Sequence, residues 1–145
     1  MLRSIDPLLN GMPLSILDDS DHSSDIVIAA ANFPAIDVAR RHVELTGGPA
    51  DRVLEALLSV LPFDDLVEAP SALMVARSEA EPMYTDFGRF IEATEGLSVK
   101  VERVDPDALM ARARAEDSEI SSGDRRPYDN LILRKGALRH ESGAA

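Results

Sequence analysis

The sequence predicts a layered α/β fold, and three observations point to it. Helical and strand-like stretches alternate along the whole chain, the pattern expected of helices laid on a sheet. Ile26 to Ala31 is an unbroken apolar run, which suits a strand covered on both faces. Val53, Leu54, Leu57, Leu58 and Leu61 recur at the spacing of one helix face. At 145 residues the chain suits one domain, residues 1–145. A domain of that size buries roughly 70% of the surface its unfolded form exposes, so neither a disulfide nor a metal is needed for folding.

Taken in order, Asn10 is placed to cap a short helix running to about Ser20, with Pro13 tolerated in its first turn. The run from Ile26 to Ala31 is the first strand, and Asn32, Phe33 and Pro34 turn the chain. A short strand is expected around Val43 to Leu45, then Gly47 and Gly48 punctuate and a helix starts at Pro49. Ala72 to Ala76 reads as a second buried strand, and Pro82 opens a weaker amphipathic helix carrying Tyr84, Phe87, Phe90 and Ile91. Val99, Val101 and Val104 mark a further strand, after which Asp105 caps and Pro106 starts a helix to about Ala115. Ser118 to Ser121 is a candidate short strand, Gly123 to Pro127 a loop, and Asn130 to Arg134 the last strand. Residues 137–145 are expected to form a mobile tail.

Composition excludes several kinds of chemistry. There is no cysteine, which removes thiolate metal sites, cysteine nucleophiles and disulfides together. A net charge of -11 opposes approach to nucleic acid or to an anionic membrane. Two basic pairs, Arg125 with Arg126 and Arg134 with Lys135, read as a solvated face or an intersubunit contact. The N-terminal apolar residues are broken by Asp6, Pro7, Asn10, Gly11 and Pro13, so neither a signal peptide nor a membrane span is expected and the protein reads as cytoplasmic. Gly47 and Gly48 lack the Lys and Ser or Thr of a phosphate-binding loop, and no Gly-x-Ser-x-Gly elbow occurs.

The residues left to carry chemistry are few. His22 stands in a polar turn just before the buried strand, where it reads either as a surface or capping histidine or as a general acid/base. His42 beside Arg40 and Arg41, and His140 in the tail, make no ligand set with it, so no metal site is expected. Tyr128 and Asn130 flank Asp129 ahead of the last strand. They read either as turn residues or as a phenol and an amide facing one polar ligand. A histidine before one strand and this pair before another suggest a sugar-sized polar site at one end of a sheet. Asp64 and Asp65 follow the long helix region as solvent-facing caps or hydroxyl binders, and Met74, Met83 and Met110 read as core fillers.

With these residues in view, the sequence resembles the family of L-fucose mutarotases and D-ribose pyranases, more closely its fucose branch. The resemblance is carried by MLRSIDPLL at the start, the His22 segment, ANFPA at Ala31, LPFDDLVEAP at Leu61 and YDNLILRKG at Tyr128, in order and spacing to about Gly136. It implies a three-layer α/β/α sandwich with a mixed central sheet, assembled as a homo-oligomeric ring, commonly a decamer. It also implies a cofactor-free isomerase that interconverts sugar anomers by general acid/base ring opening.

Carried onto this chain, His22 matches the family's catalytic histidine. Asp64 matches a site acid of the animal enzymes, and Tyr128 and Asn130 match the sugar-binding pair, with the backbone of Asp129 beside them. Two positions depart. The turn is Asp21, His22, Ser23, Ser24 and Asp25 where the family has Gly-His-Gly-Asp-Glu, and Ala30 replaces the sugar-binding aspartate. Met110 also replaces a site tyrosine of the animal enzymes. Losing hydrogen bonds to a charged group costs roughly 1.5 to 3 kcal/mol. The resemblance therefore implies L-fucose or a related deoxy or less hydroxylated monosaccharide as partner, or a non-catalytic sugar-binding or regulatory role on the same scaffold.

Overall fold

A computed structural model describes residues 3–32, 41–62, 71–74, 89, 92, 101–115, 118–125 and 130–138. The elements in chain order are α1 (Gly11–Asp19), β1 (Asp25–Ala29), β2 (Arg41–Leu45), α2 (Ala50–Leu58), β3 (Ser71–Met74), β4 (Val101–Val104), α3 (Pro106–Ala115), β5 (Ser118–Ser122) and β6 (Leu131–Arg134). The described strands form one six-stranded sheet in the order β2-β5-β1-β6-β3-β4. It is mixed. β1 runs parallel to β5, β5 to β2 and β3 to β4, while β6 lies antiparallel between β1 and β3.

Period-two alternation explains why β1 is apolar from Ile26 to Ala29, since its successive side chains enter two different cores. Ile26 and Ile28 join Val43, Leu45, Ile120, Leu131 and Leu133 beneath α1 and α2, which contribute Ile16, Leu17, Val53, Leu54 and Leu57. Val27 faces the other way, with Ala72, Val104 and Ile132, and there α3 covers them with Leu109 and Ala113. The arrangement is an α/β/α sandwich.

Each helix has a physical start. Asn10 accepts a hydrogen bond from the Met12 N–H at 3.2 Å and caps α1, as its sequence position predicts. Asp105 does the same for α3 through the Ala108 N–H at 2.8 Å. Pro49 precedes α2 but has no capping side chain. That role falls to Asp124, buried and far along the chain, whose carboxylate accepts from the Ala50 N–H at 3.0 Å. The Asp6 carboxylate receives both Arg52 guanidinium nitrogens at 2.7 Å, tying the N-terminal segment to α2, and this hydrogen bonding holds Asp6 below the usual carboxylate range.

Two expectations change in kind. Ser118–Ser122, a weak strand by composition, is an interior strand whose five residues are all buried. The Arg134 and Lys135 pair is internally engaged rather than a solvated face, as the site geometry shows below. Of the expected helix after Pro82, Arg89 and Glu92 are helical and exposed, and its apolar residues lie outside the described set. Phe33 to Arg40, and the tail from Arg139, lie outside it too. Among the described residues no helix is long and apolar enough to cross a membrane.

One buried charge stands out on β5. Glu119 has no solvent exposure, and neither of its carboxylate oxygens has a hydrogen-bond partner among the described residues. Burial pushes its pKa from an ordinary 4.5 up to about 7, although the nearby Ser121 hydroxyl works in the opposite direction. The folded chain therefore retains a proton that the unfolded chain loses above pH 4.5. The resulting penalty is absent below that value, grows as pH rises, and is complete above about 7. Glu119→Gln is expected to flatten this slope and to raise stability at pH 8 by about 3 kcal/mol, checked by urea unfolding across pH 4 to 8.

Candidate functional site

The two ends of the sheet carry different chemistry, and the direction of β6 decides which residues stand at each. Because β1 and β6 pair antiparallel, with Asp25 opposite Arg134 and Ile28 opposite Leu131, His22 before β1 and Asn130 before β6 lie at opposite ends. The span from Asp25 to Ile28 is itself roughly 10 Å, and His22 and Asn130 lie beyond its two limits. The expectation that they meet at one end of the sheet is corrected within a single chain. A histidine preceding one strand and an asparagine preceding its neighbour converge only when the two strands are parallel.

At the first end, His22 is exposed in the turn between α1 and β1. It lies on the rim of a cleft of about 430 Å³ lined mainly by apolar side chains, among them Leu14, Leu17, Val60, Leu61 and Leu138. The turn is pinned from β6, because the Ser23 N–H donates to the Lys135 carbonyl at 2.7 Å and the Lys135 N–H donates to the Ser24 carbonyl at 2.9 Å. The Lys135 ammonium meanwhile caps the C-terminus of α1, donating to the Leu17 and Ser20 carbonyls at 2.6 and 2.7 Å. Beneath the turn, the buried Asp25 accepts from Arg112 Nη2 at 2.8 Å and from Arg134 Nε at 2.9 Å. One carboxylate thus joins the start of β1 to α3 and to the end of β6.

At the second end, Asn130 is buried and its side-chain oxygen accepts from the Ala30 N–H at 2.8 Å. The next N–H, of Ala31, donates to the Asp124 carbonyl at 2.7 Å. Asp124 thereby joins the exit of β1 to the start of α2, and Ser122 ties in as well, donating to the Ala29 carbonyl at 2.9 Å. Gly123 permits this crowding. A Cβ there would stand 2.7 Å from the Thr46 carbonyl oxygen. Ala30 is itself buried and brings no carboxylate to this end.

Met110 is partly buried against the core under α3, a packing position. Asp64, Tyr128 and Asp129 lie outside the described residues. Sequence reasoning passed over Glu119, Asp124 and Lys135, each hidden behind a commonplace neighbourhood. Asp124 followed a glycine and looked like loop, Lys135 looked like half of a surface pair, and Glu119 sat in a serine-rich stretch with no apolar period. Among the described residues, no group of three or more His, Cys, Asp or Glu side chains is placed to hold a metal ion.

Fold and geometry together define an α/β/α sandwich with a histidine-rimmed cleft at one end of its sheet and a buried amide at the other. The chain belongs to the RbsD / FucU transport protein family, whose sequence pattern it matches over residues 3–138. It is 30% identical over 139 residues to the L-fucose mutarotase of Actinobacillus pleuropneumoniae serotype 5b, covering 94% of this chain and 96% of that one. It is likewise 30% identical over 146 residues to the human fucose mutarotase, covering 94% of each chain. Among solved structures, the fucose mutarotase of Streptococcus pneumoniae in complex with L-fucose has the same fold, with a TM-score of 0.87, 21% identity, and 95% of this chain and all of that one covered.

The altered turn around His22 has a measurable consequence. Ser23 adopts φ 69°, in the left-handed region that glycine occupies without penalty. Ser23→Gly is expected to stabilise the protein by about 0.5 to 1 kcal/mol, read from the urea midpoint at unchanged slope.

Proposed function

We propose that the protein is a cytoplasmic, cofactor-free mutarotase acting on L-fucose or a related, less hydroxylated monosaccharide. The observation that carries this reading is the collinear likeness to fucose mutarotases over 94% of the chain, with His22 exposed on the rim of a cleft. In the reaction, one group removes the proton of the anomeric hydroxyl while another protonates the ring oxygen. The ring C–O bond breaks as the carbonyl forms, the aldehyde end rotates, and closure on its other face inverts the centre. An imidazole is suited to both transfers near neutral pH.

His22 is assigned the acid/base role together with Asp64, while Tyr128, Asn130 and the backbone of Asp129 hold the sugar, with Ala30 and Met110 at the positions that shape it. Since His22 and Asn130 lie at opposite ends of one sheet, the complete site is formed between two copies, the His22 end of one set against the Asn130 end of the next. Such head-to-tail contacts build a ring where the rotation closes. A decamer made of such rings is consistent with this geometry.

A second reading, a sugar-binding protein without catalysis, is favoured by Ala30, which leaves position 30 without a carboxylate. The two separate cleanly by magnetisation exchange between anomer signals of L-fucose and several other monosaccharides. The mutarotase reading predicts exchange above the buffer rate, lost by about a hundredfold or more in His22→Ala. Saturable binding without exchange, converted to exchange by Ala30→Asp, supports the second reading instead.

A further inference from the structure

One residue at the exit of β6 bonds to the His22 segment from both sides. Before His22, the Lys135 ammonium donates to the carbonyls of Leu17, Asp18 and Ser20 at 2.6, 3.2 and 2.7 Å. After it, the Lys135 carbonyl accepts from the Ser23 N–H at 2.7 Å, and the Lys135 N–H donates to the Ser24 carbonyl at 2.9 Å. Every polar group of Lys135 is thus engaged with the stretch from Leu17 to Ser24, and His22 stands between the two sets of bonds. Lys135 and His22 also line the same cleft.

The sequence of α1 makes that ammonium consequential. The C-terminal end of a helix carries partial negative charge, which basic side chains in the last turn offset. α1 has no basic residue there and ends instead on Asp18 and Asp19. Arg41 approaches the Asp19 carboxylate at 3.6 Å, and the Ser20 N–H and hydroxyl both donate to the Ile16 carbonyl. The carbonyls that follow Ile16 are left to Lys135. An ammonium has three N–H donors, and here each meets a carbonyl, so Lys135 serves as a clamp rather than as a proton source. On the other side of His22, Ser23 stands at φ 69°, a costly conformation for a residue with a side chain, and its N–H is held by the Lys135 carbonyl.

We propose that Lys135 is the positioning residue for His22: its ammonium fixes the end of α1, its backbone fixes the turn, and the imidazole between them is kept at the rim of the cleft. The assignment rests on the mutarotase reading, in which His22 moves the proton and Lys135 acts through it. The next residue extends the hold, since the Gly136 N–H donates to the Pro62 carbonyl at 2.7 Å. The exit of β6 therefore ties the His22 turn to the segment that leads to Asp64.

The test uses the full chain and two readouts. Its three histidines, His22, His42 and His140, are followed by their ring signals in proton–carbon NMR, with His22 assigned by its loss in His22→Ala. His42, bonded to Ser121 within the sheet, reports the fold. In Lys135→Met the His22 signals are expected to shift and broaden while those of His42 stay in place. Unmoved His22 signals overturn the proposal, and so does equal movement of His42, which marks a general support of the fold. If Lys135→Met does not fold, Lys135→Gln, which keeps an N–H donor without the charge, is read the same way; failure of both to fold again marks a general support and overturns it. The second readout is anomer exchange. Lys135→Met is expected to lower kcat about tenfold at unchanged KM, and Lys135→Arg, with a cation for the same carbonyls, to restore most of the rate. Asn10→Ala, which uncaps the opposite end of α1, is expected to lower stability without that loss. An equal fall in kcat in Asn10→Ala makes the effect one of helix stability and overturns the assignment. Should the wild-type protein exchange no sugar at all, the mutarotase reading falls by itself, and the histidine signals alone decide whether Lys135 holds His22.

Discussion

The antiparallel seat of β6 between β1 and β3 is the constraint on which the rest of the molecule depends. It brings the residues after β6 against those before β1, so that Lys135 backs the His22 turn, and it brings Asn130 against Ala30. Were β6 parallel, the two candidate half-sites would share one end. As built, one chain presents an exposed imidazole at the first end and a buried amide at the second. A function that needs both requires two copies.

Each end is held by polar groups chosen from distant parts of the sequence, and their burial makes them consequential. Asp25, almost without exposure, would be a costly uncompensated charge without Arg112 and Arg134; breaking such a buried arrangement costs on the order of 3 to 5 kcal/mol. Asp124 supplies α2 with the cap that Pro49 cannot, and in the same stroke anchors the Ala31 backbone. Lys135 closes α1 from across the sheet. These ties make the sheet ends rigid frames rather than loose loops, which is what a site needs to hold a sugar in one orientation. Glu119 is the exception, a buried carboxyl whose oxygens have no hydrogen-bond partner among the described residues.

Much of the fold was legible because local patterns and tertiary packing agree. The apolar run at Ile26, the helix face from Val53 to Leu58 and the caps Asn10 and Asp105 all read directly into β1, α2, α1 and α3. Ser118–Ser122 was faint because its burial comes from flanking strands β1 and β2, not from its own hydrophobicity. Strand direction was not legible at all. Nothing local to Asn130 or Leu131 says which neighbour β6 pairs with or which way it runs, so the meeting of His22 and Asn130 was misplaced. The same holds for Asp124 and Lys135, whose partners lie 74 and 118 positions away. Their types were ordinary, and only the fold gives them work.

The central claim is that the sheet separates the two half-sites within a chain and that association of copies reunites them. Mixing copies tests it most directly. His22→Ala and Tyr128→Phe proteins, each inactive in anomer exchange, are unfolded together, refolded at equal ratio and assayed. Sites shared between copies predict recovery of about a quarter of the wild-type rate, the fraction of contacts that join an intact His22 to an intact Tyr128. No recovery in mixed assemblies, or full loss confined to one variant alone, would contradict the account.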